Sequence, residues 1–274
     1  MMIARRHTAA MPRELVIALH CSGAGSSQWR QLAGVLGDGY ELLAPEHYGC
    51  ENTGPWSGEH PFTLAGEAAR TIALIDATDR KVHLVGHSYG GGVALHVALA
   101  RPARIASLSL YEPSAFHLLR RIAGGETALA EITSVAYAVA TAVVTGDYRR
   151  AAMTFVEYWN GKGAWNALRP AVQAALTAWM PKAPLDFHAL FGEPEEPAAY
   201  VRVRCPVLVM RGEYAPAPTQ LIADTLPSLM RAVQLCAVAG AGHMGPLTHA
   251  DEVNALIASH LAETAALSRP KVAA

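Results

Sequence analysis

The chain has 274 residues, 51% of them hydrophobic and 16% charged, with a formal net charge of -1. That length can bury a large core, and so small a net charge excludes the electrostatic footprint of a nucleic-acid or anionic-membrane binder. Cys21, Cys50, Cys205 and Cys236 form no C-x-x-C pair, a usage that fits reduced thiols and a cytoplasmic setting rather than a disulfide framework.

Arg5 and Arg6 stand near the start, but residues 7–14 contain no apolar run, so no export signal is expected, and nowhere does the chain reach the roughly 18 continuous apolar residues of a membrane span. Residues 15–19 read as a strand, 28–36 as a helix, 41–44 as a strand and 63–77 as a helix. A strand at 81–85, a helix at 91–100 and a strand at 106–111 follow. From 115 to 200 the pattern turns helical, without a buried strand, and carries Tyr137, Phe155, Tyr158, Trp159, Trp165, Trp179, Phe187 and Phe191. Strand and helix then alternate again at 206–210, 220–226, 232–238 and 251–263, before a frayed tail at 267–274. This alternation predicts an α/β fold, a mostly parallel, doubly wound sheet. Its core is expected over 1–114 and 201–274, with 115–200 as an inserted helical cap.

Where the third strand meets its helix the chain reads Gly86-His87-Ser88-Tyr89-Gly90. A strand that turns into a helix at one residue forces that residue into strained backbone space, and bulky neighbours two positions away would collide. Glycines flanking a serine at those positions form a nucleophile elbow, which lifts the hydroxyl to the top of the sheet. The amide of Tyr89, at the helix N-terminus, faces the same spot and can stabilise an oxyanion. A serine hydroxyl needs a base. Of twelve histidines, His243 is the best placed, in the loop Gly240-Ala241-Gly242-His243-Met244-Gly245 after the last strand. The same loop spells a dinucleotide fingerprint, Gly-x-Gly-x-x-Gly, but no βαβ unit follows it, so no dinucleotide is expected.

With Leu19-His20-Cys21-Ser22-Gly23 after the first strand, the elbow at Ser88 and the late Gly-His243, the chain resembles the α/β-hydrolase superfamily over nearly its full length. The resemblance implies a lid-bearing serine hydrolase in which the backbone amides of Ser22 and Tyr89 form the oxyanion hole. Cys21 departs from the glycine usual after the loop histidine. The acid that orients the histidine departs further: many members carry Gly-x-x-Asp-Pro after the strand that follows the lid, and here Gly212-Glu213-Tyr214-Ala215-Pro216 puts alanine at the aspartate position. Glu112, at the end of the strand after the elbow helix, matches the place from which some members, including haloalkane dehalogenases, supply the acid. Glu213 is the second candidate, and a serine-histidine dyad or another acid the third. His20 and His87 are expected as supporting donors. Arg120, Arg121, Arg149, Arg150 and Lys162 are candidates to meet a substrate carboxylate, or solvated helix faces.

The expected chemistry is cofactor-independent and metal-free: cleavage of an ester, thioester or similar acyl bond of a small, largely apolar substrate through an acyl-enzyme on Ser88, with His243 as base and Glu112 as its orienting acid. Neither nucleic acid nor membrane is an expected partner; a homodimer is open. Two other classes stay open as well, a non-catalytic small-molecule binder on the same fold, and a lyase, C–C hydrolase or perhydrolase using the same pocket.

Overall fold

The computed structural model describes residues 13–268; the Arg5 and Arg6 reading and the last six residues of the expected tail lie outside them. The strands are β1 (Glu14–Leu19), β2 (Tyr40–Leu43), β3 (Val82–His87), β4 (Ile105–Tyr111), β5 (Val207–Gly212) and β6 (Val233–Val238). All neighbours pair in parallel, in the order β2-β1-β3-β4-β5-β6. The helices are α1 (Arg30–Leu36), α2 (Leu64–Asp76), α3 (Tyr89–Ala100), α4 (Gly125–Val144), α5 (Tyr148–Asn160), α6 (Ala164–Ala167), α7 (Pro170–Trp179), α8 (Ala183–Phe191), α9 (Ala217–Leu229), α10 (Gly245–Thr248) and α11 (Ala250–Ser268).

The period-two geometry of a strand divides its side chains between two cores. Leu15, Ile17 and Leu19 of β1 face a cluster shared with Leu64 and Ile75 of α2, Val93 and Val97 of α3, and Ile222 of α9. Val16 and Ala18 face the opposite side, where Leu32 of α1 and Val253, Ile257 and Leu261 of α11 close the second core. The doubly wound sheet expected from the alternation is therefore present. Thr63 caps α2 by accepting the Gly66 amide at 3.1 Å, which starts this helix where the sequence pattern places it. The tail differs from expectation: α11 continues to Ser268, so residues 267 and 268 are helical.

Between β4 and β5 the described residues form helices α4 to α8 and short 3₁₀ turns, with no strand. These helices carry a cluster of their own, built on Val139, Ala152, Val156, Trp165 and Met180. α4 is the one helix among the described residues long and apolar enough to cross a membrane by length and composition. It packs on α5, α8 and α9, and Ile132 and Val139 are fully buried.

The strand order sets the position of the site. The chain moves outward from β1 to β2, returns across β1, and proceeds the other way through β3, so the loops leaving β1 and β3 diverge at a topological switch point. The loop holding Cys21 and Ser22, and the turn holding Ser88, leave the carboxyl ends of those two adjacent strands.

Candidate active site

Ser88 joins β3 to α3 with φ 55° and ψ -118°, outside the regions open to most L-residues. Two glycines make that turn possible. A Cβ on Gly86 would lie 2.6 Å from the Gly90 carbonyl oxygen, and one on Gly90 would lie 2.4 Å from the Leu19 carbonyl oxygen. The turn is also pinned from β4's side: the Ser88 amide donates to the Tyr111 carbonyl at 3.0 Å, and the Ser88 carbonyl accepts from Ser114 at 3.0 Å. As first residue of α3, Tyr89 has an amide with no acceptor inside the helix, which leaves it free to bind an anion beside Ser88.

The structure brings Ser88, His243 and Glu112 into one line. His243 Nε2 is 2.8 Å from Ser88 Oγ, and His243 Nδ1 is 2.6 Å from Glu112 Oε2. The carboxylate fixes the tautomer: Nδ1–H donates to Glu112, leaving Nε2 to accept from the serine hydroxyl. Glu112 is fully buried with φ 42°, the other described non-glycine residue besides Ser88 at positive φ. Its Oε1 accepts from the Gly212 amide at 2.8 Å, and its Oε2 accepts from the Thr219 hydroxyl at 2.9 Å. Those bonds hold a buried charge that would otherwise be very costly. Glu213, the second candidate acid, faces elsewhere and accepts from the Gly240 amide at 2.9 Å. Ala215, which has no side-chain acceptor to offer His243, occupies the turn after β5.

His20 and His87 serve as supports. His20 Nε2 accepts from the His47 amide at 3.2 Å, so its Nδ1–H donates to the Cys21 carbonyl at 2.8 Å. His87 Nε2–H donates to the His243 carbonyl at 2.8 Å, while its Nδ1 accepts from Gln28 at 3.2 Å and Gln28 in turn accepts from the Cys21 amide at 3.1 Å. A chain of hydrogen bonds thus ties the loop after β1 to the loop bearing His243. Burial lowers the pKa of His20 to about 3 and that of His87 well below its ordinary value, so both rings are neutral. Burial likewise raises the Cys21 thiol to about 12, which leaves it a packing residue.

Several neighbours were beyond sequence reasoning. Trp159 of α5 stacks on the His243 ring, with centroids 4.1 Å apart and planes 27° apart. Ser114 Oγ lies 3.3 Å from Ser88 Oγ. Lys182, which no pattern in the chain singles out, is buried and bonds Asp186, the acceptor of the Ser22 hydroxyl. The five basic residues singled out as carboxylate partners do not line the pocket: Arg120 bonds the Phe191 carbonyl, Arg121 pairs with Glu196, and Arg149 lies over Trp165. Helical periodicity alone could have placed Trp159 near the middle of α5's buried face, but not over a histidine 84 residues later in the chain.

Above Ser88 opens a cavity of about 440 Å³, in the size range of small-molecule sites. Phe155, Val156, Trp159, Leu168, Val172 and Leu176 contribute large apolar side chains to its wall. No lysine, arginine, aspartate or glutamate lines it among the described residues. A second, much smaller recess, which shares Ser22, Ser88, Phe155 and Trp159 with the first, is bounded also by Ser114, Phe116, Asp186, Phe187 and Leu190.

A family model described as "Alpha/beta hydrolase family" matches residues 16–256, nearly the whole described chain. The chain belongs to the alpha/beta hydrolase family. Among curated members it is similar to Lipase LipV of Mycobacterium tuberculosis, with 35% identity over 100 residues, 36% of this chain and 37% of that protein. It is also similar to a 2-hydroxy-6-oxononadienedioate/2-hydroxy-6-oxononatrienedioate hydrolase of Paraburkholderia xenovorans, 33% identical over 112 residues, 37% of each chain. The chain thus spans little more than a third of these relatives. In three dimensions it matches a hydrolase from Pseudomonas aeruginosa PA01 at TM-score 0.74 and 21% identity, over 92% of this chain and 91% of that one. This likeness shows the shared fold.

Proposed function

We propose that this member of the family is a serine hydrolase that cleaves an ester, thioester or similar acyl bond of a small, neutral, largely apolar substrate. The observation that carries the reading is the unbroken line of hydrogen bonds from Ser88 through His243 to Glu112 beside an apolar cavity. In the proposed mechanism, Ser88 Oγ attacks the acyl carbon as its proton passes to His243 Nε2. Glu112 holds the ring in the accepting tautomer and stabilises the imidazolium. The carbonyl oxygen gains negative charge, which the amides of Ser22 and Tyr89 receive. As the tetrahedral adduct collapses, the C–O or C–S bond breaks and His243 returns the proton to the leaving group. A water then gives its proton to His243 and attacks the acyl carbon. Ser88 departs with that proton, and the acid is released. Helices α4 to α8 act in this reading as a cap that walls the acyl pocket and excludes water.

The absence of charged side chains from the cavity wall among the described residues favours a neutral substrate. A dienedioate, the kind of compound named for one relative, carries two carboxylates, and desolvating them without a cation would be strongly unfavourable. For that reason the C–C hydrolase alternative is set second. A fluorophosphonate probe should label Ser88 alone, and p-nitrophenyl esters of increasing acyl length should show kcat/KM rising until the chain outgrows the cavity. A folded protein that neither labels at Ser88 nor turns over any of these esters would sink the proposal and favour a binding role.

A further inference from the structure

The two amides assigned to the oxyanion belong to residues whose side chains converge on one buried lysine. Ser22 Oγ donates to Asp186 Oδ2 at 2.6 Å, and the Tyr89 hydroxyl donates to Glu67 Oε2 at 2.9 Å. Lys182 Nζ donates to both carboxylates, to Glu67 Oε2 at 2.9 Å and to Asp186 Oδ1. The lysine also lies 4.4 Å from the Phe62 ring centroid and 5.0 Å from that of Tyr89. Glu67, Lys182 and Asp186 are all buried.

We infer that Lys182 is a positioning residue that seats the oxyanion cradle from the helical segment above it. This inference rests on the reading of Ser22 and Tyr89 as amide donors. Lys182 and Asp186 stand one helical turn apart around the start of α8, Glu67 sits in the first turn of α2, Ser22 lies in the loop after β1, and Tyr89 opens α3. Two features give the arrangement its purpose. First, Ser22 precedes Gly23, whose φ is 72°, in a loop whose Ala24 amide donates to the Cys21 carbonyl at 3.2 Å and whose Cys21 amide donates to Gln28 at 3.1 Å, bonds that hold Cys21 but leave the Ser22 side chain to be fixed by Asp186. The bond to Asp186 adds a tether where the backbone itself is permissive. Second, the cluster holds two carboxylates next to the place where negative charge develops. The ammonium between them offsets one of those two charges and donates a hydrogen bond to both groups in a water-poor setting. A bridge serving only to dock α8 on α2 would have no need to end on Ser22 and on the Tyr89 hydroxyl.

Ser22→Ala and Tyr89→Phe each remove one hydroxyl and keep the backbone amide, and Lys182→Met removes the hub. Each single-hydroxyl variant is expected to lower kcat by about five- to tenfold, in line with loss of one buried charge-assisted bond. KM should stay within about twofold, and affinity for a trifluoromethyl ketone, whose adduct on Ser88 carries the oxyanion, should fall by the same factor as kcat. Lys182→Met is expected to fall further, and Lys182→Arg to recover part of the loss. Hydrogen–deuterium exchange of the intact protein supplies a readout independent of turnover: amides of residues 20–25 should exchange faster in Lys182→Met and in Ser22→Ala than in wild type. Folded variants that keep wild-type kcat and ketone affinity, or unchanged exchange over 20–25, would overturn the inference. If wild type is inert toward esters and fluorophosphonate, the hydrolase reading fails on its own, while faster exchange in the variants still supports the tether and unchanged exchange still rejects it.

Discussion

Glu112 and His243 are separated by 131 residues of sequence, yet a carboxylate oxygen of one lies 2.6 Å from Nδ1 of the other. The carboxylate that meets His243 comes from the end of β4 and not from the turn after β5, and Gly212 and Thr219, from the β5 end and α9, hold it in place. Glu112→Gln should therefore lower kcat on an activated ester by about 10²- to 10⁴-fold, because an amide no longer selects the accepting tautomer of the imidazole. Glu213→Gln should stay within about threefold of wild type, since that side chain only steadies the Gly240 loop, by a bond of ordinary size. Steady-state kinetics on both variants decide it: the opposite ranking would move the acid to Glu213.

Glycine-to-alanine changes should have opposite signs at two positions. On Gly90 a methyl group would sit 2.4 Å from the Leu19 carbonyl oxygen and 2.5 Å from that of His20, both fixed backbone. Gly90→Ala is expected to destabilise the fold by about 3 kcal/mol and to displace Ser88. In α1, a methyl group on Gly34 meets nothing within 4 Å. Gly34→Ala should stabilise by about 0.5–1 kcal/mol through helix propensity. Urea midpoints at one pH test both, and a neutral Gly90→Ala would mean that the elbow can open without loss.

Trp159 stacks on the ring that gains a proton in the proposed mechanism, so its indole should stabilise the imidazolium formed there. Trp159→Leu keeps the site apolar and removes that face. A fall in kcat of about three- to tenfold is expected from a stacking contribution near 1 kcal/mol, with Trp159→Phe intermediate. A change confined to KM would assign Trp159 to substrate binding alone.

Acidification should unfold the protein earlier than its carboxylates alone would dictate. Burial lowers the pKa of His20 to about 3 and of His83 and His117 to about 4, and holds His87 well below its ordinary value. Unfolded, each imidazole titrates near 6.5, so between about pH 6.5 and 4 the unfolded chain binds more protons than the folded one. The stability from keeping these rings neutral is therefore complete above pH 6.5 and is lost as pH falls. The loss approaches about 1.4 kcal/mol per pH unit for each fully titrating ring. Urea midpoints at pH 7.5 and pH 5.0 should differ clearly; equal midpoints would mean that these rings are charged in the folded state.

The local patterns of the chain determined much of this by themselves. Six strands and the helices between them follow from apolar runs and amphipathic stretches whose periods are set by backbone geometry, which acts within a few residues. The elbow was legible for the same reason, because Gly86, Ser88 and Gly90 satisfy a steric demand confined to five positions. His243 was legible from its place in a glycine-rich loop after the last strand. What had to wait for the tertiary structure is each pairing between distant segments. Whether Glu112 or Glu213 reaches His243 depends on how the ends of β4 and β5 are placed against the loop after β6. That Trp159 covers the histidine, and that Lys182 ties Ser22 to Tyr89 through two carboxylates, depends on how α5 and α8 settle on the sheet. Those choices are made by packing and by the need to satisfy buried charge across the whole core, and neither leaves a mark in any single stretch of sequence.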